Sequence, residues 1–231
     1  MDFQQVGEID RYLLGVVNGA HSLFFDSLMM TLTSGLTWIP LYIALLYLVI
    51  KNNDTMTQIF LAIGCCLLCL FITEFVTEGL VKPAVGRLRP GSDPRWMYDW
   101  HVVDNLRGRD FSFFSAHAAN TMGITMFFCL LVRSRILSWM MVIWSLVNCY
   151  TRLYLAMHYP SDILVGLAFG ALAGMVAYLV YYLIFRQVSA KQNYISSQYT
   201  STGYSRADVD VVATALVASY VLAIIWSLVQ Q

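Results

Sequence analysis

Six stretches without one charged side chain divide this 231-residue chain: Ser27 to Ile50, Thr55 to Thr73, Phe111 to Val132, Ile136 to Thr151, Ile163 to Phe185 and Val211 to Gln231. They run to 24, 19, 22, 16, 23 and 21 residues, and a helix crossing a hydrocarbon core about 30 Å thick needs roughly 20. Apolar runs of this length satisfy their own backbone hydrogen bonds in lipid only as helices. The expected fold is an all-α integral membrane protein, a six-transmembrane-helix bundle forming a single domain over 1–231. Its spans fall near 34–50, 57–81, 114–132, 136–157, 161–185 and 209–229. The shortest run extends past Arg152, whose long side chain can reach a polar site. Composition agrees, with 58% hydrophobic and 12% charged residues against about 25% charged in soluble domains. Fourteen Lys and Arg balance fourteen Asp and Glu, so no net field attracts nucleic acid, which is excluded as a partner.

The opening MDFQQVGEIDRYLL has no basic n-region and no small-residue cleavage site, so the first span is expected to direct insertion. Residues 7–26, with Tyr12, Leu13, Val16 and Val17 at helical spacing, read as an N-terminal interfacial helix. Cys65, Cys66, Cys69, Cys129 and Cys149 all lie in apolar runs and read as buried filler. Polar turns at 51–54 and 133–135 make antiparallel neighbours. The polar segment 187–208 reads as a mobile loop.

With six spans, the 82–110 loop and the connection between spans four and five share one face. The 51–54, 133–135 and 187–208 loops share the other. Basic residues number eight on the first face and six on the second, or five and six once Lys82, Arg89 and Arg152 are set aside as site residues. Charge therefore does not orient the chain.

Three clusters on the first face carry chemistry. Lys82-Pro-Ala-Val-Gly-Arg87-Leu-Arg89-Pro90 places three cations at a membrane boundary, stiffened by two prolines. Phe113-Phe114-Ser115-Ala116-His117-Ala-Ala-Asn120 opens span three, where Ser115 and Ala116 offer the free N–H groups of a helix start to a phosphate. Thr151-Arg152 to His158-Tyr-Pro160-Ser-Asp162 joins spans four and five, with His158 just outside a helix start and Asp162 near enough to hold one ring nitrogen. Lys82, Arg89 and Arg152 for an anion, two histidines and one orienting carboxylate make a phosphoryl-transfer inventory. No metal constellation accompanies them: Asp208-Val-Asp210, the one D-x-D, falls on the other face. Metal and cofactor are both expected to be none, with cations and helix N–H groups stabilising charge instead.

These motifs resemble the type-2 phosphatidic acid phosphatase family over residues 82–162. Lys82 through Pro90 fits K-x6-R-P, Ser115 to His117 resembles P-S-G-H, and Arg152, His158 and Asp162 fit S-R-x5-H-x3-D. Phe114, Ala116 and Thr151 stand where the family has Pro, Gly and Ser. The resemblance implies metal-independent hydrolysis of a phosphomonoester or diphosphate through a phosphohistidine. By position, His158 is the nucleophile, Asp162 orients it and His117 is the general acid. Lys82, Arg89, Arg152, Ser115 and the amide of Ala116 hold the phosphoryl oxygens. The implied partner is a membrane lipid phosphate: undecaprenyl diphosphate, a lipid A phosphate or phosphatidylglycerol phosphate. The implied location is the bacterial cytoplasmic membrane with the site on its outer, periplasmic face. No protein partner is readable.

Two other readings of the residues stay open: an intramembrane serine hydrolase using Ser115, His158 and Asp162, and a non-catalytic binder or transporter of anionic lipid. Glu74, Glu78 and Lys82 share one helix face, which points to a salt link positioning Lys82. Trp38, Trp96, Trp100 and Trp226 read as one aromatic belt and Trp139 as the other, with Trp96 and Trp100 also placed to line a headgroup site.

Overall fold

The computed structural model describes residues 3–108, 110–188 and 197–230, and these are mostly helical. Helices α1 (Phe3–Asn18) and α2 (Leu23–Thr33) meet at a 114° bend. The single helix expected over 7–26 is therefore two. Gly19 closes α1, and Ser22 opens α2 by accepting the Phe25 N–H at 3.3 Å, a cap that competes with helix continuation.

A turn of 3₁₀ helix (Gly35–Trp38) leads into α3 (Ile39–Lys51). Next, α4 (Met56–Glu74) starts at a capping box between Thr55 and Gln58 and continues through a π-helical stretch, Phe75–Val81, into the short α5 (Lys82–Val85). After an irregular segment follow α6 (Ala116–Val132), α7 (Arg135–Tyr154), α8 (Pro160–Val188) and α9 (Arg206–Val229).

Among the described residues, four helices are long and apolar enough to cross a membrane: Met56–Val85, Arg135–Tyr154, Pro160–Val188 and Arg206–Val229. The bent α1–α2 pair would make a fifth if it were one broken span. Gly35–Lys51 and Ala116–Val132 are apolar but shorter. The third charge-free run loses length because Phe111 to Ser115 is not helical and the helix starts only after Ser115.

One end of the bundle is tied by the sequence's short turns. Asn52 Nδ2 donates to Asp208 at 3.0 Å, the Ser205 N–H donates to Asn52 Oδ1 at 2.7 Å, and the Thr202 hydroxyl donates to the Val132 carbonyl at 2.9 Å. Asp208, half of the D-x-D, is thus occupied at this end. Of the loop expected over 187–208, residues 187–188 continue α8, 189–196 lie outside the described residues, and Tyr199 bridges to Ser205.

The most extensive helix pair is α6 against α8. Gly166, Gly170 and Gly174 repeat every four residues along α8 and let the α6 backbone approach. A Cβ on Gly170 would sit 2.3 Å from the Ala119 carbonyl oxygen, and one on Gly166 would sit 2.7 Å from that of Ser115. Small residues at this spacing are how membrane helices pack closely. The pairing also fixes the start of α6 beside the start of α8. We expect Gly170→Leu to separate the two helices, costing about 1–3 kcal/mol or more of overpacking. Thermal unfolding in detergent should show a lower midpoint, and an unchanged midpoint would contradict this packing.

Trp38 does not sit in a belt. It is 1% exposed, donates to the Leu32 carbonyl at 3.0 Å, and packs edge-on against Trp144 and Tyr220. The cysteines are free thiols: Cys65, Cys69 and Cys149 are buried, Cys66 and Cys129 half-buried.

Candidate active site

At the opposite end from Asn52 and Asp208, a cavity of about 320 Å³ is lined by Glu74, Glu78, Lys82, Arg89, Ala116, His117, Asn120, Arg152 and His158. Residues up to 84 positions apart meet there. The π-helical stretch and the start of α5 bring Glu78 and Lys82 to the wall, α6 presents Ala116 and His117 from its first turn, α7 presents Arg152 from its last turn, and the loop after it carries His158.

His158 is 2% exposed. Its Nδ1 lies 2.9 Å from the Ser112 carbonyl oxygen, which can only accept, so Nδ1 carries the proton. Nε2 is then an unprotonated nitrogen, and it faces Arg89 Nη1 at 3.5 Å on the cavity side. Burial pushes the His158 imidazole down to about 3; Asp162 opposes the shift, while Arg152 and Arg89 reinforce it. The ring is neutral and tautomer-fixed, with Nε2 turned to the cavity.

Asp162 lies at 3.8 Å from Nδ1, further than the Ser112 carbonyl. Its oxygens accept bonds from the Ser112 hydroxyl, from the Tyr159 N–H at 2.9 Å and from Arg87 Nη1 at 2.7 Å. Asp162 thus reaches the ring chiefly as a charge and by fixing Ser112. Ser112 is a residue that the motif reading passed over.

Each cation at the cavity has a protein partner that fixes it. Arg89 Nε donates to the Asp110 carbonyl at 3.0 Å. The Arg89 chain passes so close to Gly108 that a Cβ there would meet its Cδ at 2.2 Å. Arg152 Nη1 donates to the Thr33 hydroxyl at 2.9 Å, while its buried Nε has no protein partner. Lys82 pairs with Glu78, the salt link expected one turn apart. Glu74 instead accepts from Asn120 Nδ2 at 2.8 Å.

Ser115 and Asp162 lie behind the wall rather than on it. The Ser115 side chain is fully buried and accepts the Ala118 N–H at 3.4 Å, and its own N–H is taken by the Asp162 carbonyl at 3.1 Å. Its hydroxyl serves the helix start, a poor position for the nucleophile of a serine hydrolase. Thr151 is likewise turned back, donating to the Asn148 carbonyl at 2.7 Å. Trp96 and Trp100 are not in the cavity either: Arg11 of α1 stacks 4.4 Å over Trp96, and Trp100 packs by Gly15.

An anion cavity at one end of a bundle of apolar helices, with a neutral histidine and fixed cations in its wall, defines a membrane-embedded enzyme for phosphoryl groups. Residues 62–189 match the PAP2 superfamily. The chain is 36% identical over 176 residues to a lipid A 4'-phosphatase of Bacteroides thetaiotaomicron, covering 76% of this chain and 78% of that protein. It is 28% identical over 176 residues to a lipid A 4'-phosphatase of Porphyromonas gingivalis, covering 75% and 73%. A transmembrane PAP2-type phosphatidylglycerolphosphate phosphatase from Bacillus subtilis shares the fold, with a TM-score of 0.60 over 81% of this chain and 90% of that one at 16% identity. The chain belongs to the PAP2 superfamily, the family its motifs resemble, and it is an integral membrane phosphatase.

Proposed function

We propose that this phosphatase removes a phosphomonoester from lipid A, without a metal ion, through a phosphohistidine on His158. The observation that carries the reading is the His158 ring: Nδ1 is tied to the Ser112 carbonyl and Nε2 faces a cavity ringed by Lys82, Arg89 and Arg152. Nε2 attacks phosphorus, the bond from phosphorus to the lipid oxygen breaks, and His117 gives that oxygen its proton. Water then attacks the phosphohistidine, the P–N bond breaks, inorganic phosphate leaves and a proton returns to His117. Lys82, Arg89, Arg152 and the Ala116 N–H hold the phosphoryl oxygens, and Ser115 contributes by shaping the start of α6.

The names of the two lipid A 4'-phosphatase relatives support hydrolysis of a membrane lipid phosphate. Glu74 and Glu78 stand in the same wall as the cations, where carboxylate oxygens accept bonds from the hydroxyls of a sugar-linked phosphate. Six crossings complete the reading. Gly35–Lys51 and Ala116–Val132 both run from the cavity end to the end tied by Asn52 and Val132, and 17 residues of helix span about 26 Å. The outward orientation follows the family resemblance.

Purified protein incubated in EDTA with lipid A, undecaprenyl diphosphate and phosphatidylglycerol phosphate should release inorganic phosphate fastest from lipid A. Activity lost in EDTA and restored by Mg²⁺ would refute the metal-independent reading. A pH profile gives a second check. Because His158 must be neutral to attack and its pKa is pushed to about 3, kcat/KM corrected for substrate ionisation should show no His158 limb between about pH 7 and about pH 5. An acid limb in the ordinary histidine range, near about 6.5, would contradict a buried neutral nucleophile.

A further inference from the structure

Asp10, in α1, lies far outside the family-matched residues 62–189, yet its carboxylate is 3% exposed and turned toward the site. Oδ2 accepts from Arg87 Nη2 at 2.7 Å and from the Ser161 hydroxyl at 2.6 Å, and Oδ1 accepts the Ser161 N–H at 2.9 Å. The other arm of the same guanidinium, Arg87 Nη1, donates to Asp162 Oδ1 at 2.7 Å and to the Ser161 hydroxyl at 2.8 Å. The Arg87 fork also lies 4.0 Å over the Tyr159 ring. Arg87 is the one cation of the Lys82–Arg89 cluster that does not line the cavity.

We infer that Asp10 is a positioning residue for the nucleophile, acting on His158 through Arg87, Asp162 and Ser112. This rests on the reading of His158 as the nucleophile. A guanidinium held by one carboxylate can swing about its long stem; held between two, and stacked on Tyr159, it is fixed. Fixed, it clamps Asp162 Oδ1, leaving Oδ2 to the Ser112 hydroxyl and the Tyr159 N–H. The Ser112 carbonyl then sets the tautomer and the tilt of His158. Asp10 also fastens Ser161, at the start of the helix that carries Asp162. Without its charge, Arg87 has only Asp162 to pair with and draws that carboxylate away from Ser112 and the ring. The N-terminal helix is in this sense part of the active site, although its side chain never meets substrate.

The test uses the full chain in detergent and the lipid phosphate it turns over fastest. Asp10→Asn preserves shape and removes the charge. It should lower kcat about 10- to 100-fold, the scale of a small misplacement of a reacting group. Inhibition by inorganic phosphate should stay within about twofold, because Lys82, Arg89 and Arg152 are untouched, even though loss of a buried charge lowers the unfolding midpoint. A kcat equal to that of the parent overturns the proposal. So does a loss of kcat matched by an equal weakening of phosphate inhibition, since Asp10 would then only fasten α1. If Asp10→Asn does not accumulate, Arg87→Lys, which keeps a cation but loses the fork, is read by the same split. His158→Ala separates the two levels: full activity in that variant removes the nucleophile reading itself, whereas an inactive His158→Ala beside an unaffected Asp10→Asn removes only this inference.

Discussion

His158→Ala is expected to abolish turnover, with kcat down by about 10⁴-fold or more, since no phosphoenzyme can form without the nucleophile. Inhibition by inorganic phosphate should survive, because the ring supplies Nε2 to the cavity while Lys82, Arg89 and Arg152 supply the charge that holds the anion. That separation distinguishes a chemical role from a binding role. Steady-state phosphate release together with phosphate inhibition decides between them, and a His158→Ala enzyme that keeps a tenth of its kcat would contradict the account.

His117→Ala should divide substrates by their leaving groups. His117 is exposed to the cavity from the first turn of α6, and the proposed mechanism assigns it the proton for the departing oxygen. A sugar alkoxide needs that proton, so release from a lipid monophosphate should fall about 10²- to 10⁴-fold. p-Nitrophenolate is a far weaker base and hardly needs it, so p-nitrophenyl phosphate, if accepted, should lose much less. His158→Ala is expected to be inactive on both. Equal losses for His117→Ala on the two substrates would show that His117 binds phosphate or shapes the start of the helix, and the general-acid role would have to be given up.

The helices were legible because charge is so costly in lipid that its absence over a long run leaves few alternatives. Five of the six charge-free runs hold one helix each, while the first, Ser27 to Ile50, is divided between the end of α2, a 3₁₀ turn and α3. Their ends were less legible: Phe111 to Phe114 is apolar but lies outside the helix, committed to placing Ser112 against His158 and Asp162. The break between α1 and α2 was missed because residues 7–26 keep an apolar periodicity across Gly19 to Ser22. The repeat of Gly166, Gly170 and Gly174 was in plain view, and its spacing alone was a sign of close helix packing.

Around the cavity, motif spacing picks out side chains that reach the anion space. It says nothing of what holds them. Lys82, Arg89, Ala116, His117, Arg152 and His158 do share one wall. Ser112, Arg87 and Asp10 lack such a signal because their side-chain partners lie 46 to 151 residues away. Arg87, between Lys82 and Arg89, reads in the sequence only as a third cation at the membrane boundary, and it bridges two carboxylates. Asp10 sits on an amphipathic segment where an acidic residue needs no explanation beyond solvent.

The most direct measurement is the state of His158 during turnover. Protein mixed with substrate, quenched in base and digested should yield the peptide bearing His158 with an added phosphoryl group that is stable in base and lost in acid. Phosphate on Ser115, or no covalent phosphate at any time during single turnover, would contradict the central claim.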